Sequence, residues 1–279
     1  MTDSNNKYLP AQGFVPPIGN LNHLGFRAFA PHPALQAWVQ CYWLAQASSL
    51  PAEGFQETLY PDGGTTLSVH FVANQLPQLY FESRYQLTHR RFSGSINEIG
   101  VRFHPGGAYQ LFGARISDIF GGELALTELG LPGVPLLQQQ LLQSQDPLQQ
   151  IRLIEHWLVQ QANRQQAQSG VIQHFCSNLN TARADAGVLS DAYCLSRRQI
   201  ERKFQQQIGL SPAYVRQLHC VKFARRLIAQ SPLRSLTDIG LQSGFYDQAH
   251  FIRQFRKITH LTPGQYRAKK MSQIYNSAG

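Results

Sequence analysis

Two short segments near the end of the chain place arginine, glutamine and glutamate where they could bind bases. In segment 196–208, Ile200, Phe204 and Ile208 are spaced four residues apart, so a helix would bury that side and expose the opposite one. The exposed side and its edge would carry Ser196, Arg197, Arg198, Glu201, Arg202 and Gln205. Arg, Gln and Glu form matched hydrogen bonds with guanine, adenine and cytosine in the major groove of DNA. An ordinary solvated helix face has a similar composition, so this segment alone leaves both interpretations open.

A second segment repeats the pattern 51 residues later. Phe204, followed after four residues by Gly-Leu-Ser-Pro at 209–212, matches Phe255, followed by His-Leu-Thr-Pro at 260–263. The outward side and flanks of a helix at 247–258 would carry Gln248, Ala249, His250, Ile252, Arg253 and Arg256. Each copy predicts a short helix, a turn and a second, basic helix, which is the helix-turn-helix arrangement. Two copies favour nucleic-acid binding over a solvated face.

The positive charge of the chain is concentrated in the same region. Residues 171–279 contain 16 Lys and Arg against 5 Asp and Glu, a net charge of +11, whereas residues 1–170 contain 9 against 11, a net charge of −2. This asymmetry is typical of a polyanion-binding module attached to another domain, although a basic surface kept for solubility would give the same count. We therefore predict double-stranded DNA as the partner of the C-terminal region.

Helical patterns run through the whole C-terminal region. They predict helices at 171–179, 187–193, 196–208, 211–230, 236–243, 247–258 and 262–269. Ser196 and Asp247 stand at N-cap positions; Ser196 could instead bind a phosphate, whereas Asp247 would repel one. The glutamine-rich stretch 160–170 is a linker, or a frayed helix end followed by a short linker. The predicted division is an effector-binding or dimerisation domain at 1–162, a linker at 163–170 and an all-α domain at 171–279.

The N-terminal region has the mixed patterns of an α+β domain. Thr65–Val72 alternates apolar and polar residues like a strand, directly after a turn at Pro61–Gly64. Gly100–Phe103 predicts another short strand. Pro147 begins an amphipathic helix for which Asp146 is the N-cap.

Composition excludes several other classes of protein. No apolar run reaches the roughly 18–20 residues that a membrane helix needs, and the first seven residues lack a signal-peptide core, so we expect a cytoplasmic protein. The four cysteines form no CxxC pair, which argues against a disulfide framework or a zinc site and favours buried thiols. They are Cys41, Cys176, Cys194 and Cys220. We predict neither a cofactor nor a bound metal.

The C-terminal region resembles the AraC family of bacterial transcription regulators. The likeness is carried by Ile239–Phe255 and Leu261–Arg267 and extends over about 171–270. It implies a double helix-turn-helix domain in which Ser211–Gln230 is the long linking helix and each unit places one helix in successive major grooves. It implies base contacts at Arg198, Glu201, Arg202, Gln248, Ala249, His250 and Arg253.

Two positions depart from the family pattern. His260 stands where the family usually has glycine, so the backbone turn there would differ or be strained. Cys220 stands where arginine is common in the linking helix, which would remove a polar or phosphate contact. In the N-terminal half, the stretches 32–43, 60–63 and 100–108 resemble the N-terminal domain of an AraC subgroup without a generally assigned ligand.

An effector pocket in the N-terminal domain would need apolar walls and a few polar groups. The candidates are Trp43, Tyr60, His70, Tyr80, Arg102, Phe103 and His104, with Arg102 as an anion anchor, although each residue type is more often found in a core or a turn. The leucine pairs 136–137 and 141–142 and the helix 151–158 would pack in the core or form a dimer seam.

These patterns predict a sequence-specific DNA-binding transcription factor, with RNA polymerase as a further partner, a possible homodimer and a possible small-molecule effector. One alternative is a DNA-repair methyl-acceptor enzyme fused to an AraC-like domain; it would need an activated cysteine, and Cys41 is the only one in the N-terminal domain. The other alternative is a DNA-binding protein without an effector.

Overall fold

The N-terminal half is built on one antiparallel sheet. The computed structural model describes residues 21–72, 75–83, 85–113, 122–165, 170–179 and 191–276. Within them, six strands lie in the order β1-β2-β5-β3-β4-β6. The strands are β1 (Arg27–Phe29), β2 (Val39–Leu59), β3 (Thr65–His70), β4 (Gln78–Ser83), β5 (Thr88–Phe103) and β6 (Glu123–Ala125). The strand predicted at 65–72 is therefore β3, and the strand predicted at 100–103 is the last part of the longer β5.

The central strands of the sheet are buried on both faces. Leu67 in β3 packs into the main core, while the alternating Thr66 and Ser68 are also buried and line a cavity on the other face. Gly100 in β5 lies opposite both Ser68 and Trp43. A Cβ atom at Gly100 would lie 2.2 Å from the Trp43 ring, so only glycine lets the indole lie across this strand.

Three helices cover the main-core face of the sheet. They are α1 (Gly107–Phe112), α2 (Val134–Gln143) and α3 (Pro147–Gln165). The predicted N-cap of α3 is confirmed, because the Asp146 carboxylate accepts hydrogen bonds from the backbone N–H groups of Leu148 and Gln149 at 3.0 and 3.1 Å. The leucines of α2 divide: Leu137 and Leu141 are buried, whereas Leu136 and Leu142 are exposed.

The C-terminal half is helical, as predicted. Its helices are α4 (Val171–Ser177), α5 (Arg197–Gln207), α6 (Pro212–Gln230), α7 (Leu236–Gln242), α8 (Gln248–Thr259) and α9 (Pro263–Asn276). Most of the helix predicted at 187–193 lies outside the described residues, and 191–193 are helical. The fold class is thus an α+β N-terminal region followed by an all-α region with two helix-turn-helix units and a long helix between them. Over the described residues, no helix has the length and apolarity to cross a membrane.

The two halves share one hydrophobic core. Buried side chains from the sheet and from α4 to α9 belong to the same packed cluster. Helix α4 contacts both halves: the Phe175 ring lies 5.1 Å from the Phe204 ring in α5, and Ile172 packs on Gly106, where a Cβ atom would lie 2.9 Å away. Helix α3 continues through Gln165, so the first residues of the segment predicted as a linker are helical. The stretch 166–169 lies outside the described residues.

Candidate nucleic-acid interface

Helix α5 begins with a capping box. Ser196 Oγ accepts a hydrogen bond from the backbone N–H of Gln199 at 3.3 Å, and Gln199 Oε1 accepts one from the backbone N–H of Ser196 at 2.7 Å. The Ser196 hydroxyl also donates to Gln199 Oε1 at 2.9 Å. Ser196 therefore lies at the N-cap, and its hydroxyl is engaged within its own helix.

The side of α5 turned away from the core carries the predicted contact residues. Ile200 and Phe204 are fully buried and fix the rotation of the helix. The exposed residues on the other side are Arg197, Arg198, Glu201, Arg202 and Gln205. Arg197 Nε lies 3.3 Å from Glu201 Oε1, but 81% and 52% of the two side chains are exposed, so this pair stabilises the helix by less than about 1 kcal/mol. A binding partner of this face could therefore replace the pair at little cost in free energy.

Helix α8 repeats this arrangement in the second unit. Asp247 is its N-cap and accepts a hydrogen bond from the backbone N–H of His250 at 2.6 Å. Phe251 and Phe255 are buried. The exposed residues are Gln248, Ala249, Ile252, Arg253, Arg256 and Lys257. His250 is half-buried, with its ring 5.6 Å from the Phe245 ring, so it is less available to a base than its exposed neighbours.

The turns after the two helices have the same backbone conformation. Gly209 after α5 has φ 77° and His260 after α8 has φ 59°, so both residues are left-handed. In each case the next helix begins with a proline that follows an N-cap residue. Ser211 Oγ accepts a hydrogen bond from the Tyr214 N–H at 3.3 Å, and Thr262 Oγ1 accepts one from the Gln265 N–H at 3.2 Å. The sequence repeat is therefore a structural repeat, and His260 occupies a position that favours glycine.

Helix α6 joins the two units. Gln217 on α6 donates a side-chain hydrogen bond to Gln254 on α8. Cys220, which replaces the arginine common in the resembling family, is buried; its Sγ would lie 3.5 Å from a Cβ atom at Gly244, in the turn before α8. The thiol thus packs against the second unit from within the domain.

The N-terminal sheet also contacts α6, through a buried carboxylate that two cations share. Asp62 Oδ2 accepts a hydrogen bond from Lys222 Nζ on α6 at 2.8 Å, and Asp62 Oδ1 accepts one from Arg102 on β5. Burial lowers the pKa of Lys222, and the neighbouring Arg102 guanidinium lowers it further. Sequence patterns had identified Pro61–Gly64 only as a turn, and the structure shows that it is also a docking point.

Helix α6 makes two further contacts with the N-terminal half. In its first turn, the Tyr214 hydroxyl donates to the backbone carbonyl of Tyr85 at 3.3 Å. Farther along α6, the buried Arg225 guanidinium stacks 3.6 Å from the centre of the Tyr60 ring and donates from Nε to the hydroxyl of Tyr266 on α9 at 3.3 Å. Residues next to the sheet therefore contact α6 at two points along its length.

The predicted effector residues do not converge on one pocket. Trp43 and Arg102 line the cavity of about 50 Å³ inside the sheet, whereas His104 lines a second cavity of about 210 Å³ between the halves. Tyr60 is covered by Arg225, and Phe103 is fully buried in the core. His70 and Tyr80 form an edge-to-face ring pair, 5.8 Å between centres, away from the first cavity.

Sequence reasoning missed most of the polar lining of the cavity inside the sheet. This lining comprises Thr66, Ser68, Glu82, Arg90 and Glu98 together with Arg102. Arg102 donates to Thr66 Oγ1 at 2.7 Å, while its buried Nε has no hydrogen-bond partner. The only available signal was the set of polar residues that alternate with apolar ones along each strand. Such residues usually face solvent, so they did not stand out as a cavity lining.

The cysteine required by a methyl-acceptor mechanism is in an unsuitable environment. Cys41 is fully buried, and burial raises the pKa of its thiol to about 12, so the thiol is protonated at neutral pH. Over the part of the chain that the structure describes, no group of three or more His, Cys, Asp or Glu side chains could hold a metal ion. The geometry therefore does not support an activated nucleophile at Cys41.

Two family profiles match separate parts of the sequence. Residues 189–269 match a helix-turn-helix domain, and residues 27–124 match a domain of unknown function, DUF6597. The first match covers both units described above. The second match covers most of the sheet, and its description names no activity.

Curated relatives share short segments with this chain. The HTH-type transcriptional regulator MtrA of Neisseria gonorrhoeae is 38% identical over 74 residues, 26% of this chain and 24% of MtrA. The transcriptional activator RhaS of Escherichia coli is 37% identical over 95 residues, and the arabinose operon regulatory protein of E. coli is 29% identical over 96 residues; each match covers 34% of this chain and 32% of the relative. The chain thus matches about a quarter to a third of the length of each relative. Among solved structures, ToxT from Vibrio cholerae is 10% identical with a TM-score of 0.40, over 81% of this chain and 98% of ToxT.

Proposed function

We propose that this chain is a sequence-specific DNA-binding transcription regulator of the AraC type, because residues 189–269 match a helix-turn-helix domain and contain the two units described above. The observation that carries the proposal is the pair of capped helices, α5 and α8, each with an arginine-bearing exposed face and a buried aromatic face. Because the same structural repeat produces both helices, each would enter one of two successive major grooves.

Within these helices we assign direct base contacts to the exposed side chains of suitable chemistry. Arg198, Arg202 and Arg253 suit guanine, Gln248 suits adenine and Glu201 suits cytosine. Ala249 is small enough to let the backbone approach a base or a thymine methyl group. Arg197, Gln205 and Arg256, at the edges of the faces, would contact phosphates or neighbouring bases, and the half-buried His250 would contribute least.

We propose further that a small molecule controls DNA binding from the N-terminal domain. The cavity inside the sheet supports this role, because it combines apolar walls with buried charged groups and one unpartnered donor, Arg102 Nε. Arg102 also binds Asp62, which binds Lys222 on α6. A ligand that draws Arg102 away from Asp62 would therefore act on the helix that links the two DNA-binding units.

The remaining partners follow from the proposed function. A promoter-bound regulator in the cytoplasm acts on RNA polymerase, which we expect as the protein partner. A homodimer would supply a second pair of DNA-binding helices, α5 and α8 of the other copy. The exposed Leu136 and Leu142 on α2 are the side chains that we assign to its seam.

The proposal is tested by titrating the full chain with fluorescent duplexes that span the upstream region of its own gene. We expect binding whose logarithmic affinity falls linearly with the logarithm of the salt concentration, because each neutralised phosphate releases counterions. Absence of binding, or binding that does not respond to salt, would refute DNA recognition.

Base reading is tested separately with Arg253→Ala on a preferred duplex selected from a random pool. The substitution should cost about 1–3 kcal/mol on the preferred duplex and much less on unrelated ones. An equal loss on all duplexes would make Arg253 a phosphate contact. The matched control is Arg152→Ala, because Arg152 is an exposed arginine on α3, paired with Asp146, and should leave binding unchanged.

Effector control is tested by a thermal-shift screen of small molecules against the full chain. A stabilising compound whose effect is lost in Arg102→Lys would support the cavity as its site, because lysine lacks the guanidinium Nε donor. If no compound stabilises the protein, or if stabilisation survives Arg102→Lys, the cavity is not the control site.

A further inference from the structure

A second cavity lies between the N-terminal sheet and helix α6, and both halves of the protein line it. Its volume is about 210 Å³. Because one water needs roughly 10–15 Å³ of such space, the cavity has room for a small polyatomic molecule. Its polar lining consists of Gln40, Asp62 and His104 from the N-terminal half and His219, Lys222 and Arg226 from α6.

The charges around this cavity are unbalanced. Asp62 is the one carboxylate among its lining residues, and it is already bound by Lys222 and Arg102. Arg226 stacks on the Phe223 ring at 4.6 Å, and none of the ion pairs among the described residues includes Arg226. Burial lowers the pKa values of His104 and His219 to about 4, and Lys222 with the neighbouring arginines adds to the lowering, so both imidazoles are neutral at pH 7.

We propose that this cavity binds a small anion that carries two or more negative charges on phosphate or carboxylate groups. Lys222 and Arg226 would form charge-assisted hydrogen bonds with the anion, and the neutral imidazole of His104 would donate one N–H. His104 follows β5 whereas Arg226 lies on α6, so the anion would bridge the two halves and stabilise their packing. The site is distinct from the cavity inside the sheet and from the exposed faces of α5 and α8, and its existence does not depend on DNA binding.

The experiment measures the melting temperature and the affinity of the full chain with inorganic phosphate and with citrate as probes. The buffer contains chloride only, and sodium chloride of matched ionic strength is the control for screening. We expect at least one probe to raise the melting temperature above the chloride control, and calorimetry to give a saturable single site. Phosphate binding alone would identify a phosphorylated ligand, and citrate binding alone a carboxylated one.

Two substitutions in separate halves locate the site. Arg226→Met and His104→Phe should each weaken anion binding about tenfold or more, since the first removes a positive charge and its donors and the second removes the imidazole N–H. If one variant does not fold in chloride buffer, the affinity of the other variant tests the location of the site. The double variant Arg202→Gln, Arg253→Gln removes positive charge from the DNA-binding surface and should bind the anion as the wild type does.

Three outcomes would overturn the proposal: no saturable binding of either probe, binding unchanged in both cavity variants, or binding abolished by the Arg202→Gln, Arg253→Gln variant. The last would place the anion on the DNA-binding surface. Because these measurements contain no DNA, their failure leaves the test of DNA recognition untouched.

Discussion

The carboxylate of Asp62 is the most sensitive single point of the contact between the two halves. Its side chain is only 6% exposed, and it accepts hydrogen bonds from Lys222 at 2.8 Å, from Arg102 and from the backbone N–H of Gly64 at 3.1 Å. Asp62→Asn keeps the shape but removes the charge, which leaves two buried cations without a counter-ion. Removing one partner of a buried ion pair typically costs about 3–5 kcal/mol, and we expect a loss in that range.

Substitution of the lysine partner should lower the free energy of unfolding much less than Asp62→Asn does. Lys222→Met removes one of the two cations and leaves Arg102 paired with Asp62. The loss of one charge-assisted hydrogen bond is offset by relief of the desolvation that lowers the pKa of Lys222, so we expect a cost below about 2 kcal/mol. The inequality follows from one carboxylate serving two cations, and a simple isolated pair would not produce it.

The assay is urea unfolding of the full chain at pH 7.5, followed by tryptophan fluorescence, with the midpoints and slopes of the variants compared. The double variant Asp62→Asn, Lys222→Met should cost less than the sum of the single variants by about 1–3 kcal/mol, because the uncompensated lysine is gone. The exposed pair supplies the control: Asp146→Asn should cost no more than loss of its helix cap, about 1 kcal/mol. Equal costs for Asp62→Asn and Lys222→Met, or a cost below about 1 kcal/mol for Asp62→Asn, would refute the shared-carboxylate reasoning.

Three further predictions concern packing, backbone conformation and pH. Gly100→Ala should destabilise the protein by about 1–3 kcal/mol in urea unfolding, because its Cβ would lie 2.2 Å from the Trp43 ring; an unchanged midpoint would mean that the indole moves freely. His260→Gly should stabilise by up to about 1 kcal/mol, seen as a higher melting temperature, because φ 59° favours glycine; a clear loss would show that the imidazole makes a stabilising contact. Burial lowers the folded pKa of His104 to about 4 from 6.5, so the unfolded chain binds more protons between these values and stability should fall as pH drops from 6.5 to 4. His104→Gln should flatten this fall and His156→Gln, at an exposed site, should not; identical pH profiles would contradict the assignment.

The helical half could be predicted closely from the sequence. The spacing of Ile200 and Phe204, and of Phe251 and Phe255, sets which side of each helix is buried, and the structure has those sides buried. Asp146, Ser196 and Asp247 all act as N-caps as predicted. These features depend on neighbours three or four residues away, so the local pattern contains the required information.

The candidate effector residues do not gather at one cavity, because a pocket draws its residues from distant strands. Trp43 and Arg102 do line one cavity, but Tyr60, His70, Tyr80, Phe103 and His104 lie elsewhere. Thr66 and Ser68 are polar residues that alternate with apolar ones along β3, and both are buried in the lining of the cavity inside the sheet. Alternation shows that a strand has two faces, but it does not show what covers the second one.

The sequence by itself determined the all-α C-terminal region, its internal repeat, the outward faces of its two basic helices and the uneven distribution of charge, because all of these arise from short-range periodicity and composition. Only the tertiary structure decided that Pro61–Gly64 docks the linking helix, since Asp62 and Lys222 are 160 positions apart and no local pattern connects them. The same holds for the two cavities. Each cavity is lined by segments that are distant in sequence. These segments meet only when the whole chain folds, so no local pattern reveals the cavity.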